Sequence, residues 1–354
     1  MSELVFDIIR ANLLFVNFFT NCLVIISILF GYNKKIVLKI FLQIIKEMRI
    51  LVLGGHGLVG KNLQDLVKHD KDNEWFFAGR SDANLLILEE VEKLFDMCKP
   101  THVINLAAYV GGLYKNMTNG VEFFERNILI NMNVMKASIY VEKLISIMST
   151  CIFPDKVEYP ITEDKLHLGA PHPSNEGYCY AKRMIDVLSR NYNKQYGTKF
   201  VTVIPGNLYG PYDNFNITDS HVIPSLIHKI TIAKSTGQQV SICGSGKALR
   251  QFTHASDLSR YLVWMLTNYN ENEPLIISSE DEYSISDVVQ ILCEELEYDN
   301  DIIWDTSKSD GQLKKTISID KLKRLHPDVH FRTLRDGLKD TVQWFINSSD
   351  SCRK

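Results

Sequence analysis

Apolar and polar positions alternate along this chain in two different regimes. From Ala11 to Gly31 runs ANLLFVNFFTNCLVIISILFG, a segment without charge and interrupted by three Asn. It is about long enough to cross a bilayer at roughly 20 residues per span. Lys34, Lys35, Lys39, Lys46 and Arg49 crowd its C-terminal side, and Glu3, Asp7 and Arg10 lie before it. If it spans, the basic flank leaves everything downstream in the cytosol. The order of charge and apolar stretch argues against a cleavable signal peptide. The competing reading takes Met48 as the working start and residues 1–47 as an upstream extension of the gene model. From Met48 onward the pattern changes to short β-branched and Leu runs separated by stretches of helical period. MRILVLGG (48–55) reads as a buried parallel strand, Trp75 to Ala78 as a second, HVINLAA (102–108) as a third and KLISIMSTC (143–151) as a fourth. Helical stretches follow Gly60, cover Glu89 to Cys98 and about Gly120 to Val141, and open at Tyr178.

Strand and helix in strict alternation predict a doubly wound α/β fold with a parallel sheet. At the first strand end, Gly54, Gly57 and Gly60 in GGHGLVG lie between strand and helix, the context in which such a loop cradles a pyrophosphate. About 20 residues on, where NAD-preferring proteins place an acid on the ribose 2'-hydroxyl, stands Arg80. A guanidinium forks onto a 2'-phosphate, which favours NADPH/NADP+. The expected organisation is a Rossmann domain over residues 48–205 with a return at about 247–266, a smaller α/β nucleotide-sugar domain from 206–246 and 267–345, and a polar tail at 346–354.

Reactive side chains gather at the fourth strand. It delivers Ser149, Thr150 and Cys151 at its carboxyl end, and if the extended geometry continues, Ser149 and Cys151 point to the same side. Tyr178 and Lys182 stand four apart on one helix face, so an ammonium stabilises a phenolate and the phenol can give its proton to an alkoxide near neutral pH.

Composition narrows the partners. The chain has 354 residues, 45% hydrophobic and 23% charged, with formal net charge −3, and shows no basic cluster interleaved with aromatics, which argues against nucleic acid. Seven scattered cysteines, without CxxC or zinc-ligand spacing, point to free thiols in a reducing compartment, with no disulfide framework and no metal.

The glycine loop, the strand-end Ser and the YxxxK pair together resemble the extended short-chain dehydrogenase/reductase family over residues 48–345. The resemblance implies that Ser149 binds the reacting oxygen, Tyr178 donates the proton, and Lys182 holds the nicotinamide ribose. AAYVGGLYKN (107–116), STCIFP (149–154), NLYGPYDNFN (207–216), SHVIPSLIHK (220–229), GSGKALRQF (244–252) and DTSKSDGQLKK (305–315) resemble one branch of it. That branch epimerises GDP-4-dehydro-6-deoxy-D-mannose at C3 and C5 and reduces it at C4 to GDP-L-fucose. On this likeness Cys151 and His221 are the epimerising pair, the C4 ketone having acidified the neighbouring carbons. It further implies cofactor contacts at Leu58, Val59, Ala107, Pro205, Asn207, Leu208 and His221, and substrate contacts at Lys229, Arg250, Lys308, Asp310 and Lys315. It also implies a homodimer through helices around 120–141 and 178–196, while the free thiols and the basic flank of residues 11–31 place the enzyme in the cytoplasm. Gly206 stands where the branch usually has Thr, and Cys243 where it usually has Trp. The rivals are a nucleotide-sugar 4-epimerase or dehydratase that retains NAD, and a non-enzymatic NADP-binding relative. Arg80, Cys151 and His221 speak against the first, and the intact Tyr178/Lys182 pair against the second.

Overall fold

Ile50 to Leu53 are almost wholly inaccessible to solvent, as a strand covered on both faces requires. A computed structural model of the protein describes residues 47–308, 310–348, 352 and 353. The candidate span at 11–31 lies outside the described residues. Among those described, no helix is long and apolar enough to cross a membrane. By its contacts the chain divides into one unit of residues 1–49 and 70–74 and a second of 50–69 and 75–354. In the first, Met48 takes the Glu74 N–H on its carbonyl at 2.9 Å, and Asp70 Oδ1 accepts from Asp72 and Asn73.

In chain order the elements are β1 (Arg49–Leu53), α1 (Leu58–Val67), β2 (Glu74–Ala78), α2 (Leu88–Cys98), β3 (His102–Asn105), α3 (Leu113–Thr118), α4 (Gly120–Ala137) and β4 (Lys143–Ile147). Then come α5 (Glu176–Tyr196), β5 (Phe200–Pro205), β6 (Asn207–Tyr209), α6 (Val222–Thr236), β7 (Val240–Cys243), β8 (Leu249–His254), α7 (Ala255–Asn268) and β9 (Leu275–Ile277). The chain closes with β10 (Glu282–Ser284), α8 (Ile285–Glu295), β11 (Ile302–Asp305), α9 (Asp320–Leu325) and α10 (Leu334–Asn347).

Six strands form the main sheet in the order β2-β1-β3-β4-β5-β9. β1 with β3, β3 with β4, β4 with β5 and β5 with β9 all run parallel. The order reverses between β1 and β3, so their carboxyl ends open a crevice, the place where doubly wound sheets bind ligands. Helices α4 and α5 pack on one another, as do α1 and α7. A second apolar core, built from Tyr209, Phe215, Ile227, Ile242, Leu292 and Phe345 among others, joins α6, α8 and α10 to the small sheets.

Three expected boundaries move. Leu275–Ile277, expected in the smaller domain, is the sixth strand of the main sheet, because its three inaccessible side chains pair with Val203–Pro205. Within 247–266, expected to return to the Rossmann domain, Leu249–His254 pairs with β6 and β10 in a separate sheet, and α7 packs against α1. Beyond α10, residues 346–354 are not simply a polar tail: the Arg353 carbonyl accepts the Phe215 N–H at 2.7 Å, and its guanidinium donates to the Tyr212 carbonyl at 2.7 Å.

Candidate active site

The glycine loop fixes the approach of β1 to β3. Gly54 turns the chain at φ +75°, and a Cβ there would stand 2.9 Å from the Ala107 nitrogen, so the two strand ends come together only through glycine. Gly60 lies against the Gly55 carbonyl with no room for a side chain. Gly57 caps α1 without a side-chain bond, and the first turn carries no acid. The N–H groups of Leu58, Val59 and Gly60 therefore open the helix as an anion seat. Asp82 Oδ2 accepts the Gly79 N–H at 2.7 Å and shapes the exit of β2, where Arg80 stands exposed. Open backbone donors at one strand end and an exposed guanidinium at the next fit a dinucleotide with a 2'-phosphate.

At the end of β4 the structure corrects one expectation. The strand stops at Ile147, and Thr150–Ile152 is a 3-10 turn capped by Ser149. Ser149 and Cys151 thus do not meet by strand alternation. The Ser hydroxyl captures the Cys151 N–H at 3.5 Å, a local bond that competes with continued strand, and the turn brings Cys151 Sγ within 3.1 Å of Ser149 Oγ. Helix α5 is fastened to this turn by three side chains. Cys179 Sγ donates to the Cys151 carbonyl at 3.0 Å, Lys182 Nζ to the Ile147 carbonyl at 2.8 Å and Arg183 Nε to the Ile152 carbonyl at 3.0 Å. Tyr178 meets Phe123 edge-on at 6.2 Å between ring centres, and Phe123 leans on Tyr109 at 4.8 Å.

The charges follow from this packing. The Cys151 thiol is lowered to about 6, chiefly by its hydrogen bond with Cys179, with Lys315, Ser149 and Lys182 adding to it against the effect of burial. The same contact, together with burial, pushes Cys179 far up, so the pair shares one charge and Cys151 carries it. Burial lowers Lys182 to about 8. The expected lowering of Tyr178 by Lys182 is not found: burial, then the neighbouring charge on Cys151, raises the phenol well above its usual value, while the ammonium is turned to the Ile147 carbonyl. Tyr178 is a phenol that keeps its proton.

Across the crevice lies a cavity of about 250 Å³, lined by Asn207, Lys229, Cys243, Arg250 and Asp310 among others. Lys229, Arg250 and Asp310, three of the expected substrate contacts, thus line one cavity. Asp310 is engaged within the protein, its two oxygens accepting the Ser245 N–H at 2.6 Å and hydroxyl at 2.7 Å, which closes the turn between β7 and β8. Lys308 does not join them; it is exposed on the turn after β11. Lys315 reaches instead toward Cys151, Cys179 and Arg250, and burial lowers its ammonium. Pro205 ends β5, and Asn207 and Leu208 follow in β6 at the same edge. His221 is exposed and caps α6.

Sequence reasoning missed Cys179 as a partner of Cys151, although it adjoins Tyr178 in the string YCYAK. It also missed the bond of Lys115 Nζ to Asp219 Oδ2 at 2.9 Å, which ties the short helix α3 to the segment before His221. No local pattern could signal a pair so distant in the chain.

Residues 50–278 match the NAD dependent epimerase/dehydratase family. A GDP-L-fucose synthase of Dictyostelium discoideum is 53% identical over 311 residues, covering 86% of this chain and 97% of that protein. A probable GDP-L-fucose synthase of Drosophila melanogaster is 44% identical over 319 residues, 86% of this chain and 99% of that one. The crystal structure of a GDP-L-fucose synthetase from Naegleria fowleri bound to NADP superposes with a TM-score of 0.83 at 43% identity, over 86% of this chain and 94% of that one.

Proposed function

This chain belongs to the NAD dependent epimerase/dehydratase family and within it to the GDP-L-fucose synthases, and we propose that it converts GDP-4-dehydro-6-deoxy-D-mannose to GDP-L-fucose with NADPH. The observation that carries this reading is a single strand end that combines a hydroxyl, a thiol poised as thiolate, a protonated phenol and a buried lysine.

In the first stage the C4 ketone acidifies C3 and C5, Cys151 removes a proton from one face, and His221 returns one to the other. A thiolate available near neutral pH suits the removal step. Lys229 and Arg250 hold the diphosphate of the substrate by charge. In the second stage Ser149 donates to the C4 oxygen, and Tyr178 gives its proton to that oxygen as it becomes an alkoxide. Lys182, fixed by the Ile147 carbonyl, is placed to hold the nicotinamide ribose. The N-terminus of α1 and Arg80 would hold NADPH, which when bound would supply the hydride for C4.

Exposed Val121, Phe124 and Leu129 on α4 support a homodimer through α4 and α5, which light scattering of the purified chain tests. The two free thiols Cys151 and Cys179 support catalysis in a reducing compartment, the cytosol. The direct test of activity follows NADPH absorbance with the full chain and the GDP keto sugar, with NADH and a dTDP-linked keto sugar as controls. Oxidation with GDP-L-fucose as product is the expected result. Turnover only of another nucleotide sugar, with tightly retained NAD, would overturn it.

A further inference from the structure

We propose that Asp213 is a positioning residue for His221, its buried carboxylate orienting the imidazole so that the opposite ring nitrogen presents the proton for epimerisation. The proposal rests on the epimerase reading given above and goes beyond it, since it names what holds the exposed half of the proton-carrying pair.

Asp213 is 4% exposed. Its Oδ1 accepts the Asn214 N–H at 2.7 Å, but Oδ2, equally buried, has no hydrogen-bond partner among the described residues. An ionised carboxylate oxygen out of water without a donor is costly, and such groups call for an explanation. The loop that follows is folded back toward the residue after Asp213. Asn214 Nδ2 donates to the Asp219 carbonyl at 2.9 Å, pinning the residue after Asp213 to the residue two before His221. Asn216 Oδ1 accepts the N–H groups of Thr218 and Asp219, each at 2.9 Å, which closes the turn between them. His221 then caps α6, its carbonyl accepting the Ser225 N–H at 3.1 Å.

The charges around this point single out Asp213. Burial raises it above the usual carboxylate range, and among the influences that oppose burial the charge of His221 is the largest, ahead of the Asn214 N–H and Arg353. The other carboxylate that feels His221 is Asp219, and it is already committed: Lys115 Nζ donates to it at 2.9 Å and the Gly112 N–H at 3.0 Å. Arg353 is committed as well, to the Tyr212 carbonyl. A ring N–H of His221 turned to Asp213 Oδ2 satisfies the orphan oxygen and fixes which nitrogen faces the crevice. In the transfer, the imidazolium gives the proton of its outward nitrogen to the substrate carbon and becomes neutral imidazole. Asp213 orients the ring and neither gives nor takes the transferred proton.

The test separates the two stages on the full chain. Deuterium uptake from solvent at C3 and C5 of the GDP keto sugar, without NADPH, reads epimerisation, and NADPH oxidation with the already epimerised keto sugar reads reduction. Asp213→Asn is expected to slow uptake by about 10²-fold, the lower end of what a placed acid or base contributes. Reduction should stay within about twofold of wild type, with KM unchanged, and Asp213→Glu should restore part of the uptake. Wild-type uptake in Asp213→Asn overturns the proposal. So does equal loss of both activities in Asp213→Asn and Asp213→Glu, which marks Asp213 as structural. A wild-type chain that takes up no deuterium instead overturns the epimerase reading itself.

Discussion

Cys151 and His221, the two proposed proton carriers, are held in opposite ways. Cys151 sits on a turn gripped by α5 through Cys179, Lys182 and Arg183, and its thiol is tuned by a neighbouring thiol and two lysines. His221 is exposed on a loop closed by its own Asn side chains and tied to the short helix α3 by Lys115 and Asp219. The first arrangement comes from elements of the main sheet, which have one packing. The second comes from local hydrogen bonds and an exposed ion pair, which water and salt can contest. Reduction should therefore be robust and epimerisation conditional.

Tyr178→Phe is the largest expected effect and divides the two stages. Losing the phenolic proton should cut NADPH oxidation by roughly 10²–10⁴-fold, the range for a placed general acid. Deuterium uptake at C3 and C5 should persist, because Cys151 and His221 remain. Loss of both would show that the strand end and the loop are one unit, against the comparison.

Arg80→Ala comes next. It removes a guanidinium from the β2 exit without touching either proton carrier. If that group binds a 2'-phosphate, the loss of charge-assisted bonds worth about 1.5–3 kcal/mol should reduce the preference for NADPH over NADH by about 10–100-fold. The kcat/KM ratio for the two nucleotides measures it, and an unchanged ratio removes Arg80 from the cofactor site.

A smaller effect isolates the tuning of Cys151. With its thiol lowered to about 6, the base is present above that pH and is lost as pH falls through it, so uptake should decline on the acid side near pH 6. Cys179→Ala removes the largest cause of the lowering. The acid limb should then move up by about one unit, a tenfold loss of uptake at a fixed acid pH. Iodoacetamide alkylation of Cys151 as a function of pH checks the same shift without substrate. An unmoved limb means that the lysines, and not Cys179, set the thiolate.

What the sequence disclosed depended on how local the cause was. The glycine loop was legible because Gly54 at positive φ and the close approach at Gly60 admit no other residue. Tyr178 and Lys182 were legible because helical period places them together. The relation of Ser149 to Cys151 was misread because a hydroxyl capping bond ended the strand early, a contest between two local structures that composition does not decide. Lys308 and Lys315 could not be told apart, since both are lysines on one segment and only the packing against Cys151 distinguishes them. Gly206 was recognised as unusual, but its reason lies in distant residues: a Cβ there would collide with the hydroxyls of Ser278 and Thr253, which fill the space. β9 escaped assignment to the main sheet because three apolar residues carry too little period to place a strand.

The smallest effect goes to the weakest support of His221. Lys115 and Asp219 have side chains 37% and 38% exposed, so their bond is worth only about 0–1 kcal/mol, and Lys115→Ala should move Tm by no more than a few degrees. Its value lies in salt dependence. Because the pair is screened, raising ionic strength from about 0.01 to 1 M shortens the Debye length from about 30 to 3 Å and should slow wild-type deuterium uptake modestly, while reduction of the epimerised sugar changes less. In Lys115→Ala the uptake should already be reduced at low salt, with this part of its salt response gone. A variant whose uptake still falls with salt as the wild type does would show that the loop stands without this pair. Asn214, Asn216 and the Gly112 N–H bond to Asp219 would then carry it, and the contrast with Cys151 would narrow.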